Sequence, residues 1–275
     1  MKCDRCGEEV SDILVYCPHC EIFVSYPNVR AVIEEGNLNA LEERYNNALT
    51  SANEKGFSQS LKDFEEKIKK TFSVINIDID FLHWFIFKDY ELYSNYTNLV
   101  RGKCRIPASF KDDSKRRSVQ DILFGGYGEN IIYAVLSLDG SGLKSYGEYT
   151  IWLKEDKIEH RTTLLEENSY HFVIKHKILP GENIPLGYMS IWKDRHKLAI
   201  AKLGHRIFPN ISEKEYANVL LSSEGNRDTD DFIEVHIFGA LTNKAIEAVK
   251  GRSSEVTTDM IARIKAKLGN RWIEE

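Results

Sequence analysis

Four of the five cysteines in this 275-residue chain lie within its first 20 positions, as Cys3-Asp-Arg-Cys6 and Cys17-Pro-His-Cys20 with ten residues between the pairs. Each Cys-x2-Cys pair presents two thiolates to one ion, and two such pairs complete a tetrahedral zinc site. Four sulfur ligands leave no open coordination position, so the expected role of the metal is structural. His19 sits inside the second pair and reads as a bystander. The concentration of thiols at one end points to metal binding in a reducing compartment, not to a disulfide framework. Cys104 stands alone and reads as a buried thiol.

The length suits one large or two modest domains plus an appendage. A composition of 42% hydrophobic and 29% charged residues is that of a globular protein. The net charge of −5 rules out a whole-molecule clamp on nucleic acid but leaves room for a local basic patch. No apolar run approaches the ~20 residues that span a bilayer. The N-terminus has no apolar core of a secretory signal, so the expected location is cytoplasmic, without a membrane partner.

Apolar spacing over residues 28–72 predicts helices: one over Val29, Val32 and Ile33 that Gly36 interrupts, a second capped by Asn39, and a third opened by a Ser60/Asp63 capping box. Residues 73–100 are rich in aromatics, among them Phe81, Trp84, Tyr90 and Tyr93, with core packing the expected use and Asp80 a candidate cap. The segment Arg101 to Arg117 holds seven Lys and Arg residues. It reads either as a holder of a phosphate-bearing ligand or acceptor, or as a solvated loop. Gly125-Gly126-Tyr127-Gly128 is a turn and lacks the Lys-Ser/Thr of a phosphate-binding loop. Strands are expected over Ile131–Leu138, Tyr149–Leu153 and Phe172–His176. A helix is expected over Leu186–Phe208, and a second one follows the capping box Ser212-Glu-Lys-Glu215. Two more are expected near 243–250 and 258–268, closed by Gly251 and Gly269.

Asp231 to Gly239 reads as a strand that leaves a polar loop and ends at glycine. Alternation puts Ile233, Val235 and Ile237 on one face and Phe232, Glu234, His236 and Phe238 on the other. An ionisable pair between two phenylalanines suits a half-enclosed cleft. The competing reading is an ordinary solvent-facing strand side. The loop Glu224 to Thr229 favours the cleft, since such segments carry function beside a rigid scaffold.

Two resemblances emerge from these residues. The first 25 resemble short N-terminal zinc ribbons, which either cap a fold or dock a partner or nucleic acid. Tyr146-Gly-Glu-Tyr-Thr-Ile-Trp-Leu-Lys154, Arg161-Thr-Thr163, Asn168-Ser169 and Asp231-Phe-Ile-Glu-Val-His-Ile-Phe-Gly239 together resemble bacterial ADP-ribosyltransferase-like toxin domains, over roughly residues 125–250. That resemblance implies an α+β fold with a split antiparallel β core. It implies NAD bound in the cleft as substrate and a late-strand catalytic glutamate, here Glu234. His236 would orient it, serve as base for the acceptor, or merely fill the cleft. Arg105, Tyr146, Arg161, Thr162 and Thr163 are the candidates for NAD contacts. The implied organisation is a ribbon over 1–25, a helical linker or lid over 26–100 and a catalytic domain over 101–275.

Two departures bear on the acceptor. Arginine-directed members resemble one another in a Glu or Gln two residues before the catalytic glutamate, where this chain has Phe232. The usual Ser-Thr-Ser signature is also missing. The expected acceptor is therefore a nucleic acid or another protein side chain. The implied setting is that of a toxin or phage-defence effector with an antitoxin or chaperone partner. The alternative is a non-catalytic zinc-ribbon adaptor that binds nucleic acid or protein. A metal-dependent nuclease is weaker, because Asp228, Asp230 and Asp231 cluster in one loop as surface acids do.

The cysteine spacing yields a direct test. Metal analysis of the purified protein is expected to give about one Zn per chain, lost in a Cys3→Ser/Cys6→Ser variant. Zinc-free protein obtained with reduced thiols and no chelator would remove the site.

Overall fold

The computed structural model describes residues 1–88, 92–103, 109–252 and 258–275. Residues 1–25 form two knuckles that turn back directly after their second cysteine. The amide of Gly7 donates to Cys3 O and that of Glu21 to Cys17 O, both at 2.9 Å. The turning residue is left-handed in both, Gly7 at φ +75° and Glu21 at φ +58°. Glycine adopts that conformation freely, whereas Glu21 does so against its own Cβ. Antiparallel bridges pair Lys2 with Glu9 and Tyr16 with Phe23. Arg30 fastens the ribbon to the body by donating to the carbonyls of Asp12 at 2.7 Å and Leu14 at 2.8 Å.

The body is α+β. Eight strands form one sheet: β1 (Phe72–Ile77), β2 (Ile131–Ser137), β3 (Tyr149–Leu153), β4 (Thr162–Leu165), β5 (Met189–Ile191), β6 (Glu234–Phe238), β7 (Ile246–Gly251) and β8 (Trp272–Glu274). Their order is β5-β4-β6-β2-β1-β3-β7-β8. Every pairing is antiparallel except β7 with β8. The expected split core is thus one continuous sheet, but a sheet with a short seam. β1 and β2 share only the pairs Phe72–Ser137, Ser73–Leu136 and Val74–Val135. Past that point β1 continues with β3 alone, and β2 continues with β6 alone. Two four-stranded halves therefore part company along most of their adjoining strands.

Helices cover one face with the main core. They include α2 (Glu35–Glu54), which follows α1 (Pro27–Val32), together with α3 (Ser58–Ile68) and α4 (Ile79–Phe87). From the C-terminal half come α9 (Arg195–Leu203), α10 (Glu213–Leu220) and α11 (Thr258–Leu268). Leu198, Ala199, Ile200 and Leu203 of α9 are fully buried between α2, α3 and the sheet. Each large side chain so buried contributes about 1.5–3 kcal/mol. The other face carries α5 (Tyr96–Arg101), α6 (Phe110–Phe124) and α8 (Ser169–His176) with their loops, over two smaller apolar clusters, while the single-turn α7 (Glu155–Ile158) buries Ile158 in the main core. No helix of the described residues is long and apolar enough to cross a membrane.

Several local expectations are corrected. Residues 72–77 of the stretch read as helical and aromatic form a central strand, and Asp78, not Asp80, caps the helix after it by accepting from the Phe81 amide at 2.8 Å. Asn39 and Gly36 lie inside α2, and α3 starts at Ser58 without a side-chain cap. Phe172 to His176, read as a strand from its apolar residues, is helical because Asn168 Oδ1 accepts from the amides of Tyr170 and His171. Leu186–Phe208 is α-helical only over Arg195–Leu203, with a 3-10 turn on either side, and is preceded by edge strand β5. Residues 246–251 form strand β7, not a helix. The Ser212/Glu215 capping box is present as expected. Tyr90, Cys104 and Arg105 lie outside the described residues.

The polar loop before β6 is closed by a bridge between Ser222 and Asp231. Lys202 Nζ reaches Asp231 Oδ1 at 2.6 Å, and Arg206 pairs with the other carboxylate oxygen. Burial opposes the charge on Asp231, but Lys202 and Arg206 outweigh it and hold the carboxyl below its ordinary value. A depressed carboxyl stabilises the fold above the unfolded value of about 3.9, and that stabilisation is lost as pH falls through the folded value. Asp231→Ala is therefore expected to cost about 1–3 kcal/mol near neutral pH, because it strands the buried Lys202 ammonium. The gap from wild type should close below about pH 4. Urea unfolding of both proteins across that range measures it, and a gap that persists in acid would contradict the assignment.

Candidate functional site

Where β1 and β2 part, a cavity of about 320 Å3 opens. Val74, Ile75 and Asn76 line it consecutively from β1, and Ile132, Tyr133, Ala134 and Val135 from β2. Neighbouring residues on a strand point to opposite faces. Consecutive lining residues on both strands therefore mean that the cavity enters between them. Glu234, the first residue of β6, lies beside this gap opposite Val135.

Both faces of β6 are buried. Ile233, Val235 and Ile237 are fully covered, and on the other face Glu234 is 6% exposed and His236 0%. The solvent-facing reading of this strand is thereby excluded. Glu234 Oε2 accepts the amide of Ser169 at 3.0 Å, the Ser169 hydroxyl, and His236 Nε2 at 2.9 Å. All three bonds converge on one oxygen, and none of the described residues bonds Oε1. Ser169 is the first residue of α8, so the positive end of that helix faces the carboxylate. Asn168 holds the helix start in place.

His236 differs from the expectation of a base for the acceptor. It does not line the cavity. Its ring is packed edge-on against Phe124 at 4.9 Å and Tyr133 at 5.4 Å between centroids, and its Nδ1 is buried without a partner. The histidine can position Glu234 through Nε2, but it cannot touch a ligand. Phe232 and Phe238 also divide: Phe232 lines the cavity, and Phe238 packs away from it against Tyr26 and Tyr127. Tyr16, Phe23 and Tyr26 extend that aromatic contact back to the ribbon.

The remaining wall is aromatic and cationic. Tyr146 lines the cavity as the sequence suggests, with the Arg227 guanidinium over its ring at 4.5 Å. Burial, then the charge of Glu234, pushes the Tyr146 phenol up, and the same two causes push Tyr133 up further. Both phenols thus remain hydrogen-bond donors throughout the physiological range. Arg116 stacks on Tyr96 at 4.1 Å, lines the cavity and has no ion pair among the described residues. Its Nε is buried without a partner. Elsewhere in the basic segment, Arg101 is paired with Glu129 at 2.7 Å on the surface.

Arg161, Thr162 and Thr163 are not at the cavity. Arg161 donates to the carbonyls of Phe238 and Ala240 where β6 ends, and to Lys157 O. Thr162 bonds Ile158 O at 2.7 Å. Thr163 meets the amide of Asn28, which also donates to Arg161 O and His236 O. All three serve the joint between β4 and β6. Arg116 belongs to the basic run that the sequence offers as a ligand surface, and Arg227 to the loop that favours a cleft. Sequence reading passed over Tyr133, and it assigned Tyr96 only to core packing.

The four N-terminal cysteines form the second candidate centre. Their sulfur atoms all lie within 4.8 Å of one another, with Cys3–Cys20 and Cys6–Cys17 at 3.6 Å. A tetrahedron with Zn–S bonds of about 2.3 Å has edges of about 3.8 Å, so the four thiols are spaced to hold one zinc ion.

No protein-family model matches this chain, and no curated protein matches it.

The placement of Arg161 makes a prediction about stability. Arg161→Ala removes a charged donor from two carbonyls at the end of β6 and is expected to cost about 1.5–3 kcal/mol in urea unfolding. An unchanged midpoint would mean that this clamp does not hold the strand.

Proposed function

We propose that the protein is an NAD-consuming ADP-ribosyltransferase with Glu234 as its catalytic residue. The observation that supports this most is the posture of that carboxylate. It stands at the gap between two half-sheets, with Oε2 held by Ser169 and His236 and with Oε1 bonded by none of the described residues. A rigid carboxylate with one oxygen to spare suits a ribose hydroxyl beside a carbon that develops positive charge.

In this reading the C1′–nitrogen bond of NAD breaks and its electron pair passes to the nicotinamide ring. The positive charge that appears on the ribose is stabilised by Glu234, whose bonds are in place before the reaction begins. The acceptor nucleophile then bonds to C1′, and its proton passes to solvent water. Arg116 and Arg227 suit the pyrophosphate, since guanidinium groups match phosphate geometry. Tyr133 and Tyr146 provide ring faces and phenolic donors for the nicotinamide ribosyl end. His236 and Ser169 are positioning residues. The zinc ribbon has no part in the chemistry.

The test is incubation of purified protein with NAD and measurement of nicotinamide release, alongside Glu234→Gln. The variant keeps shape and hydrogen-bonding capacity but loses the charge. Turnover is expected to fall about 10²–10³-fold with little change in melting temperature. No nicotinamide release by the wild type, with water or any acceptor, would favour a non-catalytic adaptor. Full turnover by a folded Glu234→Gln protein would remove Glu234 from the mechanism.

A further inference from the structure

A second groove, of about 480 Å3, runs between α6 and α8 and shares Lys115, Val119 and Tyr170 with the cavity of Glu234. Lys111 and Lys115 lie one turn apart on α6 and so share a face. Across from them α8 presents Tyr170 and Ile174, with Lys115 Nζ 5.2 Å from the Tyr170 ring centroid. Ile174 is 55% exposed despite its apolar side chain. No acidic side chain lines this groove, although the chain as a whole carries a net charge of −5.

We propose that this groove binds a single-stranded nucleic acid, RNA or DNA, and presents it to Glu234 as the acceptor. The assignment rests on the transferase reading for what happens at Glu234, but the binding itself does not. Single strands are held by ammonium groups that track phosphates and by flat apolar or aromatic surfaces on which bases stack. Lys111 and Lys115 supply the first, and Tyr170 and Ile174 the second, side by side. An acidic peptide would satisfy the lysines and leave the ring and the isoleucine unused. Continuity with the cavity through Lys115 and Tyr170 gives one nucleotide of a bound strand a short path to the catalytic carboxylate.

The experiment uses the full chain with labelled RNA and DNA of the same mixed sequence, about 16 nucleotides long. It compares wild type, Lys111→Glu/Ile174→Glu and Glu234→Gln. Both groove positions are exposed and neither lines the Glu234 cavity, so the double variant should fold and keep basal nicotinamide release from NAD. Wild type is expected to bind one or both strands. With about two phosphates contacted, by Lys111 and Lys115, affinity should fall roughly 7-fold between about 50 and 200 mM salt. The double variant should bind at least about tenfold more weakly, whereas Glu234→Gln should bind the strand normally and lose nicotinamide release. Absence of strand binding at low salt, binding unmoved by the double variant, or preferential binding of an acidic peptide would overturn the groove assignment. Strand binding through the groove without any nicotinamide release would sink the transferase reading and leave the groove standing.

Discussion

The structure turns on one carboxylate oxygen. Glu234 Oε2 collects a backbone amide and a hydroxyl from the start of α8 and an imidazole from its own strand. It thereby docks a helix to a sheet while the carboxylate beside the cavity is held by three bonds. Hydrogen bonds to a charged group are each worth about 1.5–3 kcal/mol when buried. The helix end gains a partner for one of its unsatisfied amides. The same contacts that complete the fold at α8 prepare the site, so stability and geometry are not in competition there.

The second condition is the seam. Had β1 and β2 paired along their whole lengths, Tyr133 and Asn76 would face each other across a ladder and no space would exist between them. Beyond Val74 and Val135, β1 is paired only with β3 and β2 only with β6.

How much of this was visible in the sequence follows from which interactions are local. The thiol knuckles were legible because their cysteines sit at fixed short spacing. The β6 alternation was legible because Ile233, Val235 and Ile237 mark one face. The burial of its other face was not, since it depends on Phe124 and Tyr133 arriving from distant elements. The strand reading of Phe172–His176 failed because apolar content outweighed a single asparagine cap. The helix near 243–250 failed because a buried strand with one exposed Glu247 imitates a helical stripe. Arg161, Thr162 and Thr163 were placed in the site by motif resemblance, whereas their partners are backbone carbonyls and Asn28. Arg116 and Arg227 come from a helix and a loop far apart in the chain and meet only at the cavity.

The amide of Asn28 joins the start of the chain to segments made much later. Its acceptors are the carbonyl of Arg161, 133 residues on, and that of His236, 208 residues on. The four thiols lie within the first 20 residues and can close around an ion as soon as that stretch leaves the ribosome. The helix immediately after them packs against β4 and β5, and its bond to His236 O cannot form until β6 has been made. Between those moments the ribbon exists as a finished unit on an unfinished protein, with its aromatic surface bare. A chain made at about 5–20 residues per second leaves that surface uncovered for tens of seconds, long enough for a chaperone to meet it.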